Sequence, residues 1–191
     1  MSKNCTDRDG FIWFNGDFLP WRDAKTHIIT QGLHYGSAVF EGERSYNGRI
    51  FKSDQHTDRL FNSAEIVGMK IPFTKEEINV AKYKLLDKMN FKNCYIRPLV
   101  WRGGDQMGIS TTSSDINVSI SAWEDWTSYF KMEDRLSGIK LITSPWKRPS
   151  PDSSPHKAKS SGVYVICTMS KEFAEKKGYH DALMLDHRNY V

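Results

Sequence analysis

Cysteine is scarce. The 191 residues hold 3, at Cys5, Cys94 and Cys167, an odd number with no CxxC spacing. That excludes a disulfide scaffold and argues against a structural zinc site. No apolar run approaches the roughly 18 residues of a membrane span. The polar opening MSKNCTDRDG lacks the apolar core of a signal peptide. A reduced cytoplasm without a membrane partner is the expected setting. No charge of one sign dominates: 27 basic and 23 acidic residues are interspersed. The longest basic stretch, Lys147–Arg148 and Lys157–Lys159, is broken by proline and serine. Nucleic-acid binders concentrate their basic residues on one face or tail, so no nucleic-acid partner is expected. The six histidines show no HxxxH or HxH spacing, which leaves metal binding without support. P-loop, GxGxxG and GxSxG patterns are also missing.

What is present fits a folded chain of one domain, or one and part of a second. Apolar residues make up 39% and charged residues 26%, ordinary globular values. Aromatics reach 13%, enough to fill a core or line a pocket. Asn15-Gly16 and Asn47-Gly48 each separate two short strand-like runs. Asn-Gly tolerates positive φ at both turn positions, so two hairpins are expected. Between them, Thr30–Arg44 carries glycines that allow tight turns or close backbone approach. Asp54 as N-cap and Gly68 just past the end bracket a helix with Leu60, Ala64 and Val67 inward. Thr74 and Glu77 form a capping-box pattern before a helix that turns Ile78, Ala81, Leu85, Leu86 and Met89 inward. Strands are expected at Cys94–Trp101 and Ile116–Ala122, the second with half-buried alternation. Trp123–Leu136 and the proline-rich Ser144–Pro155 read as connectors. A strand at Ile139–Thr143, a helix from Gly162 to Lys177 closed by Gly178, and a strand at Ala182–Asp186 complete an α+β order.

Three features carry possible chemistry. The segment HKAKSSG (156–162) sits at an expected loop-to-helix junction. The positive end of a helix dipole disfavours an ammonium and favours the neutral amine that imine formation needs. Two solvated loop lysines are the plainer reading. Arg59 lies on the first long helix, and Arg97 interrupts an otherwise apolar strand. Either can hold a carboxylate or phosphate, or pair with a nearby acid. The loop WRGGDQMG (101–108) lacks a following helix, so it suits a mobile or interface loop better than a phosphate cradle. Singly, these features do not identify a function.

In order they do. LHYGSAVFEG (33–42), DRL (58–60), YIRP (95–98), AKSSG (158–162) and ALMLD (182–186) together resemble the branched-chain amino-acid aminotransferases. These are fold-type IV pyridoxal 5'-phosphate enzymes, and the resemblance runs from Gly10 to the end. It implies an α+β fold with a small N-terminal domain over 1–124, a linker over 125–137 and the first part of a larger cofactor domain over 138–191. It assigns Lys159 to the covalent bond with the cofactor, Arg59 to its phosphate and Tyr164 to its phenolic oxygen. Phe40, Gly42, Tyr95, Arg97, Trp126 and Tyr129 match the substrate pocket. Tyr35 and the Gly104–Ile109 loop, with Met107 and Ile109, match parts donated across a homodimer interface. The implied reaction is transamination of leucine, isoleucine and valine with the 2-oxoglutarate/glutamate pair. D-amino-acid aminotransferases and aminodeoxychorismate lyases share this fold and lysine, but Tyr95, Arg97, Trp126 and Tyr129 favour the branched-chain enzymes. A non-catalytic binding or dimerisation module is supported by the missing C-terminal part and opposed by Lys159, Arg59 and Tyr164. The family continues for about a hundred residues more, including a glutamate for the pyridine nitrogen. Residues 1–191 alone are therefore expected not to catalyse the reaction.

Overall fold

The computed structural model describes residues 5–104, 108–110, 115–124 and 136–191. Met107, Trp126, Tyr129 and nearly all of the expected 125–137 linker lie outside the described residues. The chain divides into two units: Met1–Trp126 with Lys157–Ser160, and Thr127–His156 with Ser161–Val191.

In the first unit both Asn-Gly turns form, with φ positive at Asn15, Gly16, Asn47 and Gly48. They join β1 (Phe11–Phe14) to β2 (Asp17–Pro20), and β4 (Glu43–Tyr46) to β5 (Arg49–Ile50). With β3 (Ala38–Phe40), β6 (Cys94–Arg102) and β7 (Ile116–Trp123), the described strands form one antiparallel sheet. Its order is β2-β1-β7-β6-β4-β5, and β3 also pairs with β6. Alternation puts Val118, Ile120 and Ala122 of β7 and Ile96 and Val100 of β6 into the core. Helices α2 (Ser53–Ile66) and α3 (Lys75–Met89) cover that face with Leu60, Ala64, Ile78, Ala81, Leu85 and Leu86. Each fully buried leucine or isoleucine contributes about 1.5–3 kcal/mol.

The capping box of α3 is complete: Glu77 N–H donates to the Thr74 hydroxyl oxygen, and Thr74 N–H to the Glu77 carboxylate. Gly68 has φ +70°, and Met69 N–H reaches back to the Ala64 carbonyl to close α2. The start of α2 differs from expectation. Lys52, in left-handed conformation, holds the cap position, and no side chain caps the helix. Asp54 sits inside the first turn and accepts from the Asn79 amide of α3 at 2.8 Å. Tertiary bonding between the two helices takes the carboxylate that local capping would have used.

A proline breaks the ladder at one point of the sheet. β3 and β4 are two halves of an interrupted strand running along β6, with Phe40 opposite Leu99 and Glu43 opposite Ile96. At the break Glu41 N–H donates to the Pro98 carbonyl at 2.9 Å. Pro98 has no N–H to give in return, so the ladder cannot run through Glu41 and Gly42.

In the second unit β8 (Leu141–Thr143) and β9 (Asp181–Leu183) pair in parallel, with α4 (Val165–Lys176) between them in sequence. The expected helix start at Gly162 is instead a 3-10 turn over Ser161–Tyr164. Both strands are shorter than expected. Beyond them, contact continues as single bonds, such as Arg148 N–H to the Leu185 carbonyl at 2.8 Å. Among the described residues no helix is long and apolar enough to cross a membrane.

Candidate active site

Side chains alternate across the break between β3 and β4. Val39, Glu41 and Glu43 turn toward the helices, where Glu41 meets Arg59 of α2 and Glu43 meets Lys82 of α3. Phe40 and Gly42 turn to the opposite face, where they meet Arg97 and Tyr95 of β6. Three consecutive residues therefore each hold a different sequence-predicted site residue.

Phe40 presents its ring to two cations. The Arg97 guanidinium carbon lies 4.6 Å from the ring centre and the Lys159 Nζ 4.8 Å from it. Both are inside cation–π range. Arg97 Nη2 also donates to the Tyr95 hydroxyl at 2.6 Å. Its Nε is buried with no hydrogen-bond partner among the described residues. A buried donor of this kind is costly unless an acceptor arrives.

Gly42 is required by proximity. A Cβ at this position would collide with the Tyr95 hydroxyl. The Tyr95 ring is backed by Trp123, with ring centres 4.9 Å apart.

Lys159 reaches the site along the edge of β3. Phe40 N–H donates to the Lys159 carbonyl at 3.1 Å, and Ser160 bridges to Val39. Lys159 N–H donates to the Ser63 hydroxyl of α2 at 3.0 Å. This ties Lys157–Ser160 to the first unit. It also corrects the helix-dipole argument for the lysine. The residues after Lys159 form a single 3-10 turn, and α4 begins only at Val165. A dipole's effect fades within about a turn, so strand-edge bonding holds Lys159 instead. Lys157 is exposed, whereas Lys159 is half-buried.

Glu41 holds Arg59 from behind. Its carboxylate accepts from Arg59 Nε at 2.5 Å and Nη2 at 2.7 Å, a bidentate pair. His56 Nδ1 lies 2.8 Å from the second carboxylate oxygen. The Glu41 side chain is fully buried while that of Arg59 is 52% exposed. Burial pushes the Glu41 carboxyl up, but hydrogen bonds and charge from Arg59 and His56 outweigh it and hold it below the usual range. Arg59 and Ser63 stand one helical turn apart on α2, so the lysine's backbone anchor and the arginine share a helix face.

Sequence reasoning missed Glu41, His56 and Ser63. Glu41 lies inside the Phe-Glu-Gly stretch, and His56, Arg59 and Ser63 follow at helical spacing. That pattern was available as a signal, but its partner across the sheet was not. Tyr35 is half exposed on the short helix α1 (Gln31–Tyr35). Gln31 of that helix donates through its side chain to the Gly108 carbonyl at 2.8 Å, bringing Ile109 and α1 together. Tyr164 belongs to the second unit, as the last residue of its 3-10 turn.

The Amino-transferase class IV family matches residues 38–191. The chain belongs to this family. It is 39% identical over 191 residues to a probable branched-chain-amino-acid aminotransferase of Rickettsia bellii. It is 41% identical over 192 residues to the branched-chain-amino-acid aminotransferase of Pseudomonas aeruginosa. All of the chain aligns with the first and 98% with the second, yet it spans only 64% and 62% of their lengths. Among solved structures it resembles the T.th. branched-chain amino acid aminotransferase with pyridoxamine 5'-phosphate, at TM-score 0.89 and 38% identity. The Escherichia coli enzyme also gives 0.89, at 32% identity. Each match covers 95% of this chain and 61% of the other. The fold is that of the fold-type IV aminotransferases, and the break between β3 and β4 falls inside the family match.

Proposed function

We propose that this chain supplies the lysine and both anion-binding arginines of a pyridoxal 5'-phosphate-dependent branched-chain aminotransferase. Its substrates are leucine, isoleucine and valine, with 2-oxoglutarate and glutamate as the amino acceptor and donor pair. The observation that carries this reading is the gathering of Lys159, Arg97 and Arg59 around Phe40, Glu41 and Gly42. The relatives named above support the substrate class.

The residues fit such a cofactor. A half-exposed arginine fork backed by a buried carboxylate suits a phosphate. The buried Nε of Arg97 suits a substrate carboxylate. When bound, the cofactor supplies an electrophilic aldehyde and a ring that draws electrons from the substrate. Lys159 would supply the amine that holds this aldehyde and, when free, the base that carries a proton at the substrate Cα. Tyr164 serves the phenolic oxygen. Free cysteines spread along the chain fit a reduced cytoplasm.

The active unit is a homodimer. Leu33 and Tyr35 on α1, and Ile109 next to the Gly108 that α1 bonds, are exposed apolar residues of the first unit. Sedimentation as a monomer with full turnover would refute this. The central test uses the full-length protein. Lys159→Ala should abolish both the visible absorbance of bound cofactor and leucine-dependent glutamate formation. Lys157→Ala should keep both, and the reverse result would overturn the assignment.

A further inference from the structure

We propose that Glu41 is the positioning residue of the phosphate site, holding the Arg59 guanidinium in one orientation before any phosphate arrives. The inference rests on the reading of Arg59 as the phosphate anchor. Arg59 is a long side chain on a helix face, half open to water. Unheld, such a side chain carries roughly 2 kcal/mol of rotamer entropy that binding has to remove. Here Glu41 takes the Nε–Nη2 edge of the fork in two short bonds. The Nη1–Nη2 end is the other edge on which a guanidinium receives an oxyanion pairwise. Glu41 is itself immobile. Its side chain is fully buried, its N–H is bonded to the Pro98 carbonyl, and His56 holds its second oxygen. Burial raises the carboxyl, but Arg59 and His56 outweigh it and keep it charged at neutral pH. Position is thus passed from the ladder break at Pro98, through Glu41, to Arg59.

Charge and position make opposite forecasts. As a counter-charge, Glu41 would weaken phosphate binding, and its removal would strengthen it. As a positioner, its removal weakens binding. In Glu41→Gln one carboxylate oxygen becomes an amide NH₂, a donor facing the donors of Arg59, so the guanidinium is displaced.

The test compares pyridoxal 5'-phosphate with pyridoxal, by equilibrium titration of the full-length protein. The ratio of the two affinities isolates the phosphate. Arg59→Ala should cut that ratio by about tenfold or more, and Glu41→Gln should reproduce most of the loss with pyridoxal affinity unchanged. If Arg59→Ala loses the ratio and Glu41→Gln keeps or raises it, the positioning role is overturned while the phosphate assignment stands. If both affinities fall together in Glu41→Gln, its role is general stability and the proposal fails. If Arg59→Ala keeps the ratio, the phosphate assignment fails and this proposal with it. Should Glu41→Gln not fold, His56→Gln decides: it leaves Glu41 charged but less fixed, so the ratio should fall about two- to threefold. An unchanged ratio in that variant overturns the proposal.

Discussion

Lys159 places its amine 4.8 Å from the centre of the Phe40 ring, on the same ring that Arg97 covers at 4.6 Å. One aromatic side chain thereby fixes the spacing between two cationic groups, which the proposed reading assigns to the cofactor and to the substrate carboxylate. Each contact is worth about 0.5–1 kcal/mol at a partly exposed site. Phe40→Leu keeps apolar bulk but removes the ring face. We expect it to raise KM for 2-oxoglutarate and lower kcat, each by about two- to fivefold, with little change in Tm. Steady-state kinetics beside a thermal melt checks this. Unchanged kinetics would mean the ring is only packing.

Gly42→Ala adds one methyl group where the Tyr95 hydroxyl stands. Gly42 is not among the positive-φ residues, so the backbone accepts alanine and the whole effect is steric. Tyr95 has to move, and its 2.6 Å bond from Arg97 is lost. A hydrogen bond to a charged group is worth about 1.5–3 kcal/mol, so KM for the amino acid should rise about tenfold while cofactor affinity holds. A fall in cofactor affinity with KM unmoved would assign Gly42 to the other side of the site.

Beneath the site lies a second ion pair. Lys82 Nζ and Glu43 are 2.7 Å apart, both side chains fully buried, and Lys82 also donates to the Thr57 hydroxyl at 2.7 Å. Burial pushes the Glu43 carboxyl up and the Lys82 ammonium down, each against the pull of its partner. Removing one partner strands the other. Lys82→Met should cost about 3–5 kcal/mol of stability, and Lys82→Met with Glu43→Leu should recover most of it. In the single variant the cost should be smaller at pH 5 than at pH 8. A buried carboxyl with a raised native pKa loses stability as pH rises above its unfolded value. Urea unfolding at both pH values reads the result. An additive double variant would show that the pair is not coupled.

The Glu41 carboxyl carries the opposite sign. It is lowered in the native state because Arg59 and His56 outweigh its burial. Its contribution is present above the unfolded value, near 4.3, and is lost as pH falls through the lower native one. The stability gap between the wild-type protein and Glu41→Gln should therefore persist from pH 8 to pH 5. It should close only below pH about 4. Denaturant melts across that range provide the check, and a gap that closes near pH 6 would point to a different titrating group.

The sequence by itself determined the parts that depend on residues a few positions apart. Positive φ at Asn15-Gly16 and Asn47-Gly48, the Thr74–Glu77 capping box, the closure at Gly68 and the alternation of Ile116–Ala122 all formed as read. Each rests on local chemistry: a tolerated dihedral, a reciprocal cap, or a period of two or 3.6. The order of motifs also marked Lys159, Arg59, Tyr95 and Arg97. Their arrangement, by contrast, was decided only by tertiary structure. Lys159 reads as a helix-start lysine and is instead a strand-edge residue bonded to Ser63, 96 positions away. Asp54 reads as a cap and is taken by Asn79, 25 positions on. Glu41 reads as one acid in an apolar stretch and becomes the buried partner of Arg59 because strand alternation turns it toward α2. Local propensity carries no information about which distant donor will meet a buried carboxylate. That choice is made when the sheet closes and each buried charge has to find its partner.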